Sequence, residues 1–234
     1  MRFEFYLNME PQWGLIAFDM DGVLVDYTSS WTWVHDHFKI DNEATLIDYI
    51  EGRIDDREFM RRDIGKWIKI KADIHRSDIE RILEPVPIIN GISETVKELH
   101  RHGAKAVIVS GGLDMTARRI AKNHGFDGYL ANGLECDPKG MLTGEGVLRV
   151  DLTNKGKALR YFQDIYGVEE TRTVAIGNSF VDVSMFSASG LSIAFNPIDD
   201  HVQKNADVVM HAHDLREVLG PIMEEANCRN HVGL

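Results

Sequence analysis

The chain has 234 residues, 44% of them hydrophobic and 27% charged, and a formal net charge of −11. That length suits one large domain or a core with a modest insert, and it needs no disulfide staples. The composition excludes a disordered chain, and the acidic balance excludes a nucleic-acid partner, because no basic excess is left to neutralise phosphates. An acidic protein that binds a phosphate needs a local positive centre, such as a metal ion or a lysine. Cys136 and Cys228 lie far apart and outside any CxxC pair, which reads as a reduced, cytoplasmic protein. The first fourteen residues carry Glu4 and Glu10 and no long apolar run, so no signal peptide is expected, and no stretch reaches membrane-span length.

The apolar run Leu15-Ile16-Ala17-Phe18 ends at Asp19 and reads as a buried parallel strand closed by the turn residues Asp21 and Gly22. From about Tyr27 to Leu83 charges and aromatics recur at helical spacing, with Asp55, Asp56 and Ser77 as helix starts. This predicts an all-helical insert, and Pro85 and Pro87 mark its end. Helix is expected over Ser93–His102, strand over Ala106–Val109, and helix again over Asp114–Asn123. A hairpin is expected within Asp137–Val150, around Pro138-Lys139-Gly140. Lys155–Tyr166 reads as helix, Val174–Ile176 as strand, Val181–Ser187 as a short helix, Leu191–Phe195 as strand and Ala206–Met210 as a last short strand. The alternation predicts an α/β fold with a doubly wound, mostly parallel sheet. Its core would be 1–27 and 85–234, with a helical cap over 28–84.

In such sheets ligands bind beyond the carboxyl ends of the strands. Four polar segments follow predicted strands or open a helix there. Phe18-Asp19-Met20-Asp21-Gly22 puts two carboxylates in one turn. Ser110-Gly111-Gly112 offers a hydroxyl and backbone N–H groups to an anion. Lys155, in Asn154-Lys155-Gly156-Lys157, sits at a helix N-terminus, where a cation opposes the macrodipole unless an anion is near. Gly177-Asn178-Ser179-Phe180-Val181-Asp182 carries an amide and a carboxylate. Each segment taken alone is also explained by turns, caps or a solvated lysine.

Taken together, FDMDGVLVD, VIVSGG, NKGKAL, VAIGNSFVDVSMF and the late HDLREVL resemble the haloacid dehalogenase superfamily, in its phosphoserine phosphatase-like branch, from Leu15 to about Leu219. The resemblance implies a Rossmann-like core with a helical cap after the first strand, and a Mg²⁺-dependent phosphatase acting on a small phosphomonoester. By the same resemblance Asp19 is the nucleophile that becomes an aspartyl-phosphate, and Asp21 is the acid and base. Ser110, the N–H of Gly111, and Lys155 hold the phosphate. Asp19, the carbonyl of Asp21, Asn178 and Asp182 hold the metal. Mg²⁺ and Lys155 would keep Asp19 ionised.

Three positions depart from that branch. Asn178 stands where the family has a metal-binding Asp. Thr28 stands where a Glu binds the substrate ammonium. The arginine for the substrate carboxylate falls near Asp63, with Arg61 and Arg62 a helical shift away. Tyr27, Trp31 and Trp33 read as packing within the cap or as a ring-binding pocket. Phosphotransferase or mutase chemistry, and a binding protein that has lost catalysis, stay open beside the phosphatase. The expected assembly is a monomer or homodimer.

Overall fold

The computed structural model describes residues 13–232; residues 1–12 of the N-terminal segment read above for a signal peptide lie outside them. Strand β1 (Leu15–Phe18) is buried throughout and sits in the middle of the sheet. Four helices follow it: α1 (Ser30–Phe38), α2 (Glu43–Ile50), α3 (Asp56–Ile70) and α4 (Arg76–Leu83). The chain then runs through α5 (Ile92–Arg101), β2 (Lys105–Leu113), α6 (Asp114–His124), β3 (Gly128–Cys136), β4 (Leu142–Val147), α7 (Lys155–Tyr166) and β5 (Thr173–Gly177). It ends with α8 (Val183–Phe186), β6 (Leu191–Phe195), α9 (Asp200–Lys204), β7 (Val208–Met210) and α10 (Leu219–Val232).

The sheet order is β4-β3-β2-β1-β5-β6-β7, parallel except for β4. Successive side chains of a strand point to opposite faces, so each face has its own core. Ile16, Phe18 and Ile108 pack with Val96, Leu99, Ile120 and Ile222 on one side. Leu15, Ala17 and Val107 pack with Leu159, Phe162 and Met185 on the other. This is the doubly wound α/β fold expected from the alternation.

The helices between β1 and α5 leave and return side by side. Asp26 N donates to Pro87 O at 2.9 Å and Ile89 N to Leu24 O at 3.0 Å. Asp55 caps α3 by accepting from Glu58 N (2.8 Å), as its sequence position suggests. Helix α4 begins one residue before Ser77, because the His75 ring accepts from Ser77 N and Asp78 turns back to His75 N. Val34, Ile64, Trp67, Ile74, Ile79 and Leu83 form a third core, which is completed by Leu113, Met115 and Leu134 from the sheet side.

The hairpin needs a correction. Its turn lies at Pro138–Gly140, where Gly140 has φ +84, but its first arm is β3, before Asp137. β3 also pairs in parallel with β2.

Candidate active site

The register of the sheet sets the site. Phe18 pairs with Ile108 on one side and Ile176 on the other. Two residues further on, Met20, Ser110 and Asn178 fall level at the carboxyl edge, so three loops converge. Asp19 N still donates to Ile176 O (2.8 Å), which pins the first loop residue to the sheet. The loop then turns over Gly22, at φ +77, where a side chain would be strained. A Cβ there would also collide with the Asn178 amide, 2.0 Å away, so Asn178 packs directly on the turn that carries both aspartates. At Gly112 a Cβ would meet Asp21 Oδ2 at 2.4 Å, so the Ser-Gly-Gly loop closes on the same turn.

Lys155 opens α7 and is wholly buried. Its Nζ lies 2.8 Å from Asp19 Oδ1 and 2.5 Å from Asp182 Oδ1. Burial opposes its charge, but attraction to Asp182 and Asp19 outweighs burial and lifts its pKa above the ordinary lysine value. Asp182 Oδ2 accepts from the backbone of Asn178 (2.9 Å) and Ser179 (3.1 Å). Both Asp182 oxygens are therefore engaged by the lysine and its own loop. Asp182, expected among the metal ligands, is turned in this structure toward Lys155 and its own loop.

Burial, with Asp182 as the next cause, raises Asp19 to about 6 despite Lys155. Asp21 is pushed to about 7, first by burial and then by the charge of Asp19. Ser30 opposes that shift: its hydroxyl donates to Asp21 Oδ2 at 3.0 Å and accepts from Leu113 N at 2.9 Å. Asp21 Oδ1 is buried without a partner. In the second loop, Ser110 Oγ accepts from Gly112 N at 3.0 Å.

Asp19, Asp21, Thr28, Ser110, Gly111, Lys155 and Asn178 line one cavity of about 570 Å³. Its far wall comes from α1–α3, with Trp31, His35, Tyr49, Phe59 and Asp63. A wider cleft of about 980 Å³ adjoins it along Tyr49, Asp56 and Phe180 but reaches neither Asp19 nor Ser110. Arg61 and Arg62 are absent from the cavity wall. Arg61 pairs with Glu58 at 2.6 Å, and Arg62 with Glu58 and Asp48 at 2.7 Å each, on the outer side of α3. Neither arginine expected at the substrate lines the cavity, and the helix face that looks inward carries Asp63. The aromatic residues divide. Trp31 lines the cavity and donates to Gly111 O (3.1 Å), while Trp33 donates to Ile82 O and packs edge-on against Tyr27.

Two residues were not singled out by sequence. Ser30 lies among Thr28-Ser29-Ser30, where any hydroxyl reads as a helix cap, and Ser29 is in fact the cap. Asn132, on the unforeseen β3, donates to Gly111 O (3.3 Å) and Val150 O (3.0 Å), tying the Ser-Gly-Gly loop to the chain that leads to Lys155.

A buried turn with two carboxylates, a loop of N–H groups and a buried lysine are the parts of a phosphoryl-transfer site. The sequence pattern of the haloacid dehalogenase-like hydrolases matches residues 16–187, and the chain belongs to that family. It is 33% identical over 220 residues to a phosphoserine phosphatase of Methanocaldococcus jannaschii, covering 90% of this chain and 98% of that one. To a phosphoserine phosphatase of Idiomarina loihiensis it is 31% identical, covering 91% and 94%. A solved phospho-aspartyl intermediate analogue of phosphoserine phosphatase superposes with a TM-score of 0.75 at 29% identity, over 89% of this chain and 98% of that one. A substrate-bound phosphoserine phosphatase complex superposes with the same score at 28% identity.

Among the described residues no three His, Cys, Asp or Glu side chains converge as a metal centre. The residues that the resemblance assigns to a metal would offer a different kind of set: the Asp19 carboxylate, the Asp21 carbonyl and the Asn178 amide, with Asp19, Asp21 and Asn178 lining one cavity. Oxygen donors of this kind, one carboxylate beside two neutral oxygens, fit a small, hard cation. No helix among the described residues is long and apolar enough to cross a membrane.

Proposed function

We propose that the protein is a phosphatase that transfers the phosphoryl group of a small phosphomonoester to Asp19 and then to water. The observation that carries this is the split pair of carboxylates. Asp19 touches Lys155, while Asp21, one residue beyond Met20, is held apart by Ser30 with a pKa near neutrality.

In this reading an Asp19 oxygen attacks phosphorus. The bond to the leaving oxygen breaks, and Asp21 gives that oxygen its proton. Asp21 then takes a proton from the water that attacks the aspartyl-phosphate, and Asp19 is released as carboxylate. Ser110 Oγ, the N–H of Gly111 and Lys155 bind the phosphoryl oxygens, and Asp182 holds the lysine in place. Asp19, the carbonyl of Asp21 and Asn178 would hold Mg²⁺, which when bound offsets the repulsion between a carboxylate and a phosphate dianion. The helices over 28–84 act as a cap that excludes water from this cavity. A small-molecule partner, a monomer or homodimer and a cytoplasmic location belong to the same proposal.

The test is phosphate release from a panel of phosphomonoesters, with and without Mg²⁺. Wild type should turn over at least one of them, and acid quench should trap phosphate on Asp19. Turnover retained by Asp19→Asn would exclude the covalent route.

A further inference from the structure

We propose that the cavity selects the phosphomonoester of an amine-bearing alcohol without a carboxylate, whose ammonium N–H is received by Asp63. This rests on the phosphatase reading and specifies its leaving group.

Asp63 is 2% exposed and lines the cavity that also holds Asp19, Ser110 and Lys155. Its Oδ1 is buried with no hydrogen-bond partner. On the other oxygen, His35 Nε2 lies 3.1 Å from Oδ2 but outside good hydrogen-bond geometry. His35 Nδ1 accepts from Trp67 Nε1 at 3.0 Å, so the proton of the ring belongs on Nε2 and the imidazole is neutral. Asp63 thus has one poorly aligned neutral donor and no cation. A buried carboxylate so placed is costly to the free protein and gains most from a charged donor.

The rest of the wall agrees. Among the described residues Lys155 is the only Lys or Arg lining the cavity, and it serves Asp19 and Asp182. Arg61 and Arg62 are paired on the outer side of α3. A substrate carboxylate would therefore meet no guanidinium or ammonium at the cap end, but would face Asp63, with Asp36 and Asp41 on the same wall. An ammonium would meet Asp63, and the Trp31 indole that also faces the cavity favours a cation over an anion. Trp31 stacks on Trp67 with centroids 5.4 Å apart, and Trp67 is the donor to His35, so one run of contacts joins the Gly111 carbonyl to Asp63. The residues for the phosphate and Asp63 for the ammonium line the same cavity.

The experiment is steady-state phosphate release from O-phosphoethanolamine, glycerol phosphate, O-phospho-L-serine and p-nitrophenyl phosphate, by wild type and Asp63→Asn. In wild type kcat/KM for phosphoethanolamine should exceed that for glycerol phosphate and for phosphoserine by about tenfold or more. Asp63→Asn should cut the ratio of phosphoethanolamine to glycerol phosphate at least about tenfold, chiefly through KM, as expected when a buried polar group loses its charged partner. A wild-type preference for phosphoserine, or a ratio unchanged in Asp63→Asn, would overturn the proposal. If that variant fails to fold, inhibition of wild-type p-nitrophenyl phosphate turnover decides: ethanolamine should inhibit more strongly than glycerate, and the reverse order overturns it. Turnover of p-nitrophenyl phosphate without an amine preference sinks this inference alone. No turnover of any ester sinks the phosphatase reading as well.

Discussion

Ser30, the first residue of α1, donates its hydroxyl to Asp21 at 3.0 Å, so the helical insert directly holds the group assigned to proton transfer. Ser30 also lowers the Asp21 pKa against burial and the charge of Asp19. Ser30→Ala should therefore raise the pKa of Asp21 above about 7 and move the corresponding limb of the pH–rate profile to higher pH. Turnover near neutrality should fall about tenfold, as Asp21, now the weaker acid, gives its proton to the leaving oxygen less readily in the first step. A profile that drops in height without moving would assign Ser30 to packing alone.

Asp182→Asn separates two roles. Lys155 is wholly buried between Asp19 and Asp182, and removing one carboxylate leaves it half paired. Breaking a buried ion pair costs about 3–5 kcal/mol, and the low end applies here because an amide oxygen still accepts from the lysine. Denaturant melts should show that loss, with a smaller change in half-saturation by Mg²⁺. A large change in Mg²⁺ affinity with unchanged stability would return Asp182 to the metal.

Asn178→Asp should act with opposite signs in two conditions. Without metal it adds another carboxylate against the Gly22 turn, beside Asp19 and Asp21, and the melting temperature should fall. With Mg²⁺ a charged ligand replaces a neutral one, and half-saturation should tighten by about tenfold. Equal half-saturation in both proteins would remove Asn178 from the metal site.

The two raised carboxyls make a prediction for stability. Asp19 and Asp21 shift from 3.8 to about 6 and about 7 in the folded chain. The folded state then holds protons that the unfolded state has released. The stability they contribute is full below about pH 4 and is lost as pH rises through about 7. Metal-free protein should lose melting temperature over that window, and Asp21→Asn should lose less. Added Mg²⁺ should stabilise more at high pH than at low, since it competes with the protons. A metal-free melting curve as steep in Asp21→Asn as in wild type would contradict the assignment.

What could be read from the sequence follows from how each element is stabilised. Strands β1, β5 and β6 are short, mostly apolar runs buried throughout, and each ends where polar residues begin; in β2 the run Ala106–Val109 is of the same kind, though the strand continues through Ser110 to Leu113, so both fold and rim were legible. Strand β3, Gly128–Cys136, carries two glycines and an asparagine, and its pairing with β2 supplies what its propensity lacks. On α3, neighbouring residues differ by about 100° around the axis. The burial of Ile64 and Trp67 fixes that phase, so Asp63 faces inward while Arg61 and Arg62 do not. Spacing along the chain gives no access to that phase.

The third core reaches across from the insert to Leu113, Met115 and Leu134, and it contains residues of α1, α3 and α4 but none of α2. Helix α2 leaves Leu46, Ile47 and Ile50 largely exposed and is held to α3 mainly by polar tethers. Arg62 reaches Asp48 at 2.7 Å, and Lys66 reaches Thr45 at 2.8 Å and Asn42 at 2.6 Å. One aromatic stack, Tyr49 on Phe59, accompanies them. The insert is therefore thermodynamically uneven. Three of its helices share the fate of the sheet, whereas α2 is a flap whose amides should exchange with solvent by local opening, long before the rest of the molecule unfolds. Because surface ion pairs weaken as counterions accumulate, ionic strength acts on the flap before it acts on the core. Access to the cavity that Leu46 and Ile50 border should then respond to salt through the Arg62–Asp48 pair.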